Sequence, residues 1–138
     1  MIRQPPFLTA LAAVIVLTAG CGPQQVQVSP PEQVNLTASD NGGKVALFAD
    51  QELVIQLDGN PSTGYAWEAK DLDATMFEQV GDAKFSSSNP NLVGSGGTMT
   101  LTFRVLKTGN ATLTLVYHRP WETGVEPVDT FSITATVK

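Results

Sequence analysis

The chain has 138 residues, 8 basic and 13 acidic side chains, a net charge of −5, one cysteine and one histidine. This balance speaks against a nucleic-acid partner, since gripping a phosphate backbone needs a basic face and no Lys/Arg cluster exists to make one. One histidine and one cysteine are also too few for a transition-metal site, and the length fits one domain of ordinary size behind a targeting segment.

Residues 1–20 read as that targeting segment. Arg3 is its only charge, residues 7–17 are apolar or small apart from Thr9, and Ala19 and Gly20 precede Cys21. The run is short for a membrane span. Its ending, Leu17-Thr18-Ala19-Gly20-Cys21, resembles a bacterial lipoprotein signal, with Thr18 where the commonest pattern has Leu. The resemblance implies cleavage before Cys21 and a lipid on its sulfur, hence attachment to a membrane of the cell envelope. A lone cysteine in an exported chain otherwise means a free thiol or an intermolecular bridge. Gly22 stands where Asp would signal inner-membrane retention, which implies the outer membrane if the source is Gram-negative. Residues 21–32, rich in Gln and Pro, read as lipidated Cys21 and a flexible tether with a reach of roughly 30 Å. Loss of Arg3 leaves 7 basic against 13 acidic side chains, a net charge of −6 that reads as solubility.

Residues 33–138 are the domain. Strand signals dominate there, and no long stretch carries a helical period, so the fold class is predicted to be all-β. Asp40-Asn41-Gly42-Gly43 is a strong turn signal between Val34-Asn35-Leu36-Thr37 and Val45-Ala46-Leu47-Phe48. Leu53, Ile55 and Leu57 share a face, as do Tyr65 and Trp67, because strand side chains repeat every two residues. Residues 71–85 are less regular and can hold a short strand or one helical turn. Three later runs alternate cleanly: Met99, Leu101, Phe103 and Val105; Leu113, Leu115 and Tyr117; Phe131, Ile133, Ala135 and Val137. Each buries one face and wets the other. The turn Lys107-Thr108-Gly109-Asn110 predicts that the first two form a hairpin. About seven such strands predict an immunoglobulin-like sandwich, held by apolar burial because no disulfide is available.

Three connections carry more than a plain loop requires. In Asn60-Pro61-Ser62-Thr63-Gly64-Tyr65, Pro61 fixes its own φ and pushes Asn60 toward extended geometry, while Gly64 admits a positive φ. This makes a rigid loop with Ser62 and Thr63 at its tip, although alone it also reads as an ordinary inter-strand turn. In Gly94-Ser95-Gly96-Gly97 the glycines leave backbone N–H and C=O groups open to another chain, or simply form a flexible linker. In Arg119-Pro120-Trp121 a Trp beside Pro at a strand end is rigid and exposed, unless it folds back over the core edge. Trp and Arg are the types most enriched in binding hot spots.

In this order the three loops resemble those of the chagasin-like inhibitors of cysteine peptidases. That family carries an Asn-Pro-Thr-Thr-Gly-Tyr type loop, a Gly-x-Gly-Gly loop and an Arg-Pro-Trp loop on an immunoglobulin-like sandwich. They map onto Asn60, Pro61, Ser62, Thr63, Gly64 and Tyr65; onto Gly94, Ser95, Gly96 and Gly97; and onto Arg119, Pro120 and Trp121, with Trp67 also matched. The resemblance covers most of residues 33–138 and departs at Ser62, which keeps the hydroxyl of the usual Thr and lacks its methyl. It implies three loops clustered at one end of the sandwich and a monomeric, reversible, non-covalent inhibitor without cofactor, whose partner is a papain-like cysteine peptidase. In the family the first loop covers the catalytic cysteine, the glycine loop pairs with enzyme backbone, and the Trp packs against aromatic surface.

Two other classes stay open at this stage. An enzyme would need a nucleophile and a base, but His118 stands at a strand end, Cys21 is committed to lipid and no nucleophile-elbow motif is present. Asp71 and Asp73 lack the spacing of a calcium loop. An envelope binding module for a glycan or protein partner would lay Trp121 and Tyr65 along a groove, whereas an inhibitor needs a convex wedge built jointly by the three loops.

Overall fold

The computed structural model describes Gly22 and residues 29–138, so the expected signal, Cys21 and most of the expected tether lie outside the described residues. Among the described residues nine strands form two sheets: β1 (Gln33–Thr37), β2 (Lys44–Leu47), β3 (Glu52–Gly59), β4 (Ala66–Lys70), β5 (Phe77–Gln79), β6 (Lys84–Ser87), β7 (Gly97–Val105), β8 (Gly109–His118) and β9 (Asp129–Val137). One sheet runs β1-β3-β7, with β5 and β6 both against the far edge of β7; the other runs β2-β9-β8-β4. Where patterning predicts about seven strands, β5 and β6 are the additions. They pair with opposite ends of β7 as one interrupted edge strand, and at three and four residues they are too short for alternation to mark.

The alternating runs bury the faces expected of them. Leu53, Ile55 and Leu57, Leu101, Phe103 and Val105, Leu113 and Leu115, and Phe131, Ile133, Ala135 and Val137 form one continuous core. Each large apolar side chain taken fully from water contributes about 1.5–3 kcal/mol, so this layer holds the sheets together without a covalent link. Trp67 belongs to the same core, and its indole Nε1 donates to the Asp58 carbonyl at 2.9 Å, which satisfies its one polar atom.

The predicted hairpin at Lys107-Thr108-Gly109-Asn110 does not form. β7 pairs with β3, β5 and β6, whereas β8 pairs with β4 and β9, so this turn carries the chain across from one sheet to the other. Alternation is satisfied either way, because both runs still bury the same side chains. The crossover is set locally: Leu106 N–H donates to the Met76 carbonyl at 2.8 Å, and Gly109 adopts a φ of 139° that favours glycine. The Asp40-Asn41-Gly42-Gly43 turn also crosses between sheets, since β1 pairs parallel with β3 and β2 pairs parallel with β9.

Register gives the sandwich two distinct poles. Gly59 opposite Gly97 and Ala66 opposite His118 bring the end of β3, the starts of β4 and β7 and the end of β8 to one pole. Gln33 opposite Glu52 and Gly109 opposite Val137 put the entry and exit of the domain at the other.

Candidate functional site

All three singled-out loops leave strands at the first pole. The first joins β3 of one sheet to β4 of the other, so it spans the gap between the sheets. The glycine loop, leading into β7, flanks it on one side, and the loop after β8 flanks it on the other.

The first loop is a single 3-10 turn, Pro61–Thr63, with Asn60 as its N-cap and Gly64 closing it at φ 82°. Pro61 suits the first position of that turn, where an N–H would find no partner. Asn60 is the hub. Its Oδ1 accepts from Ser62 N at 3.1 Å and from Ser62 Oγ at 2.5 Å. Its carbonyl accepts from Thr63 Oγ1 at 2.6 Å, its N–H donates to the Tyr117 hydroxyl at 2.9 Å, and its Nδ2 donates to the Gly94 carbonyl at 3.0 Å. Pro61, Ser62 and Thr63 are exposed at the tip, but both hydroxyls there are turned to internal partners.

The glycine loop is more structured than a flexible linker. Gly94 has a φ of 78°, Ser95 Oγ bonds with Ser87 Oγ at 2.6 Å, and the Gly96 carbonyl accepts from Ser88 N at 3.0 Å and Ser88 Oγ at 2.7 Å. Gly97 lies at the head of β7, where a Cβ would run into the backbone of Ser86. The carbonyls of Gly94 and Gly96 are therefore committed within the molecule. Leu92 and Val93, just ahead of Gly94, are 60% and 101% exposed. Sequence reading passed over them, although two adjacent large apolar residues inside a Ser/Asn/Gly tract were the available signal.

In the third loop Arg119 donates from Nε to the Thr63 carbonyl at 3.1 Å and lies 4.5 Å above the Tyr65 ring. Glu122 accepts from Arg119 Nη1 at 3.3 Å, holding the guanidinium over that ring. Trp121 is 67% exposed, and its six-membered ring leans on Gly64, where any Cβ would collide with it. Tyr117, which pattern alone assigned to the core, proves to be the post under the loops. Its ring stacks on Trp67 at 5.0 Å and meets Tyr65 at 5.3 Å, while its hydroxyl fixes Asn60. His118, at the end of β8, pairs with Glu68 of β4 at 2.8 Å.

Residues 47–135, which contain all three loops, match the model of the chagasin family of peptidase inhibitors, I42. The chain belongs to that family. Amoebiasin-2 of Entamoeba histolytica is 29% identical over 103 residues, covering 75% of this chain and 84% of the relative. Chagasin of Trypanosoma cruzi is 30% identical over 91 residues, covering 62% and 81%. The solved structure of the Entamoeba histolytica cysteine protease inhibitor EhICP2 superposes with a TM-score of 0.65 at 26% identity, covering 77% of this chain and 95% of that one. The chagasin-type sandwich thus accounts for the two sheets. Among the described residues, no three His, Cys, Asp or Glu side chains gather as a metal-binding set, and no helix is long and apolar enough to cross a membrane.

Proposed function

We propose that the chain inhibits papain-like cysteine peptidases reversibly and without a covalent bond, by laying the three loops across the active-site cleft. Asn60, Pro61, Ser62, Thr63, Gly64 and Tyr65 form the central part, Gly94, Ser95, Gly96 and Gly97 one flank, and Arg119, Pro120 and Trp121 the other. The observation that carries this reading is the cross-linking of the loops: Asn60 to Gly94, and Arg119 to Thr63. Loops already fixed to one another lose little conformational entropy on association, and three adjoining loops can supply the roughly 800 Å² per partner of an ordinary stable interface. An exposed Trp121 at the flank is the type of anchor on which such interfaces depend.

A glycan groove fits the same surface poorly. Arg119 covers one face of Tyr65 and the ring also meets Tyr117, so Tyr65 is engaged within the molecule instead of laid out along a groove. The lipid anchor at Cys21, and with it residence in the cell envelope, at the outer membrane of a Gram-negative source, belongs to the same proposal and is supported by the Leu17-Thr18-Ala19-Gly20-Cys21 signal.

The experiment is titration of papain activity with residues 22–138, beside a variant carrying Gly64→Pro and Trp121→Ala, with circular dichroism on both. Tight inhibition that a still-folded variant loses supports the three-loop wedge. A folded wild type that leaves papain and its close relatives fully active would overturn it.

A further inference from the structure

The incoming chain is pinned to the pole opposite the loops. The Glu32 carbonyl accepts from Glu52 N–H at 3.0 Å, beside the pairing of Gln33 with Glu52. Gln51, a buried polar residue, donates from Nε2 to the Pro31 carbonyl and accepts from Phe48 N–H at 2.8 Å. Pro31 and Glu32, assigned to the tether by composition, are thus already fastened to the base of the domain. Lys138 N–H donates to the Leu47 carbonyl at 2.9 Å at the same base. From there β3 runs 8 residues to the first loop and β8 runs 10 residues to the third. At ~3.3 Å per residue, the strands separate the base from the loops by roughly 25–35 Å.

We infer that the molecule anchored through Cys21 holds its three loops away from the bilayer and intercepts peptidases free in the compartment that the membrane faces, rather than peptidases whose clefts lie close to that membrane. This rests on the inhibitor and anchor readings above. A tether joined on the loop side would let the wedge fall against the headgroups. Joined at Pro31, it puts the attachment point a sandwich's length from the wedge, which stands roughly 60 Å from the bilayer when the tether is extended. A peptidase seated on the loops then lies on the far side of the domain from the lipid. Docking needs no reorientation of the anchored molecule, so anchoring leaves its affinity unchanged.

The test uses the lipidated full chain, with the lipid on Cys21 verified by intact mass, inserted into preformed phosphatidylcholine vesicles and titrated against papain beside the same preparation in detergent micelles. The inhibition constants on vesicles and in micelles are expected to agree within about threefold, because no ordering cost is added. As an orientation control, residues 22–138 with Thr123→Cys, an exposed position two residues past Trp121 and then the sole thiol, are coupled to a maleimide lipid. That molecule is expected to inhibit in micelles and to lose at least about tenfold on vesicles, a difference of about 1.4 kcal/mol. Inhibition by the full chain in micelles but not on vesicles overturns the inference, and so does a mature chain without lipid on Cys21. Loss of inhibition in micelles as well overturns the inhibitor reading first, and the inference with it.

Discussion

The Asn60 side-chain amide donates to the Gly94 carbonyl at 3.0 Å, joining two loops 34 positions apart in the chain, while its Oδ1 holds Ser62. Asn60 thus acts as the positioning residue of the site, with its polar atoms turned inward. Net contributions of about 0.5–1.5 kcal/mol per hydrogen bond predict that Asn60→Ala lowers stability by about 1–2 kcal/mol. Inhibition is expected to weaken by roughly tenfold or more, because the first two loops are no longer held together before binding. Urea unfolding and papain titration on the same preparation check both figures; an unaltered inhibition constant would refute the role.

Gly64 links the first loop to the third through space alone. Its φ of 82° costs an L-residue about 1–2 kcal/mol, and a Cβ there would run into the Trp121 indole. Gly64→Ala is expected to fold, to shift Trp fluorescence as Trp121 is displaced, and to weaken inhibition by roughly tenfold or more. Combined with Trp121→Ala, the losses in binding should sum to less than the two separately, since both act on one contact. Full additivity in that double-mutant cycle would show that Gly64 and Trp121 act independently.

Alternation made the core legible: every apolar position of the runs starting at Leu53, Met99 and Phe131 is buried as read. It could not say which sheet a run joins, and so the Lys107-Thr108-Gly109-Asn110 turn was misread as a hairpin. A period of two fixes the face, while the partner strand is chosen by tertiary contacts such as Leu106 with Met76. The three loops were visible from their Gly, Pro and Trp residues. The bonds that assemble them were not, because Asn60 with Gly94 and Tyr117 with Asn60 are pairings across the fold that local spacing does not encode.

Tyr117 gives a separate handle on that assembly. Tyr117→Phe keeps the ring that stacks on Trp67 at 5.0 Å and deletes only the hydroxyl that accepts from Asn60 N–H. Leaving a half-buried donor unpaired costs about 1–3 kcal/mol. The variant is expected to lose about that much stability and to show faster hydrogen exchange at the Asn60 amide, with exchange in the centre of β7 following only the global change. Unchanged protection of Asn60 would mean that water replaces the hydroxyl.

Asp73 predicts a pH effect at the far pole. Its Oδ1 accepts from Thr75 Oγ1 at 2.6 Å and from Thr75 N at 3.0 Å, and these bonds, the hydroxyl first, hold its carboxyl below the ordinary value of 3.8. The folded state therefore favours the ionised form. Its contribution is full above the ordinary carboxylate range and is lost as pH falls through the lowered folded-state value. Urea midpoints at pH 7 and pH 3 are expected to differ less in Asp73→Asn than in the wild type. Equal differences in the two proteins would remove Asp73 from the acid limb.

Trp121 separates binding from folding most cleanly. At 67% exposure it contributes little to the core, and the bonds that hold its loop, Arg119 to Thr63 and Arg119 to Glu122, do not involve its side chain. Trp121→Ala is accordingly expected to change unfolding free energy by no more than about 0.5 kcal/mol, as for a surface substitution. Binding to papain should nevertheless fall by about 2 kcal/mol or more, roughly 30-fold, because an exposed aromatic anchor has most of its surface left to bury in a partner. Arg119→Ala offers the contrast: it releases Thr63 and uncovers Tyr65, so it is expected to reduce both stability and binding. If Trp121→Ala inhibits as the wild type does while Arg119→Ala does not, the third loop serves only to brace the first, and the peptidase contact lies with residues 60–65 and 94–97.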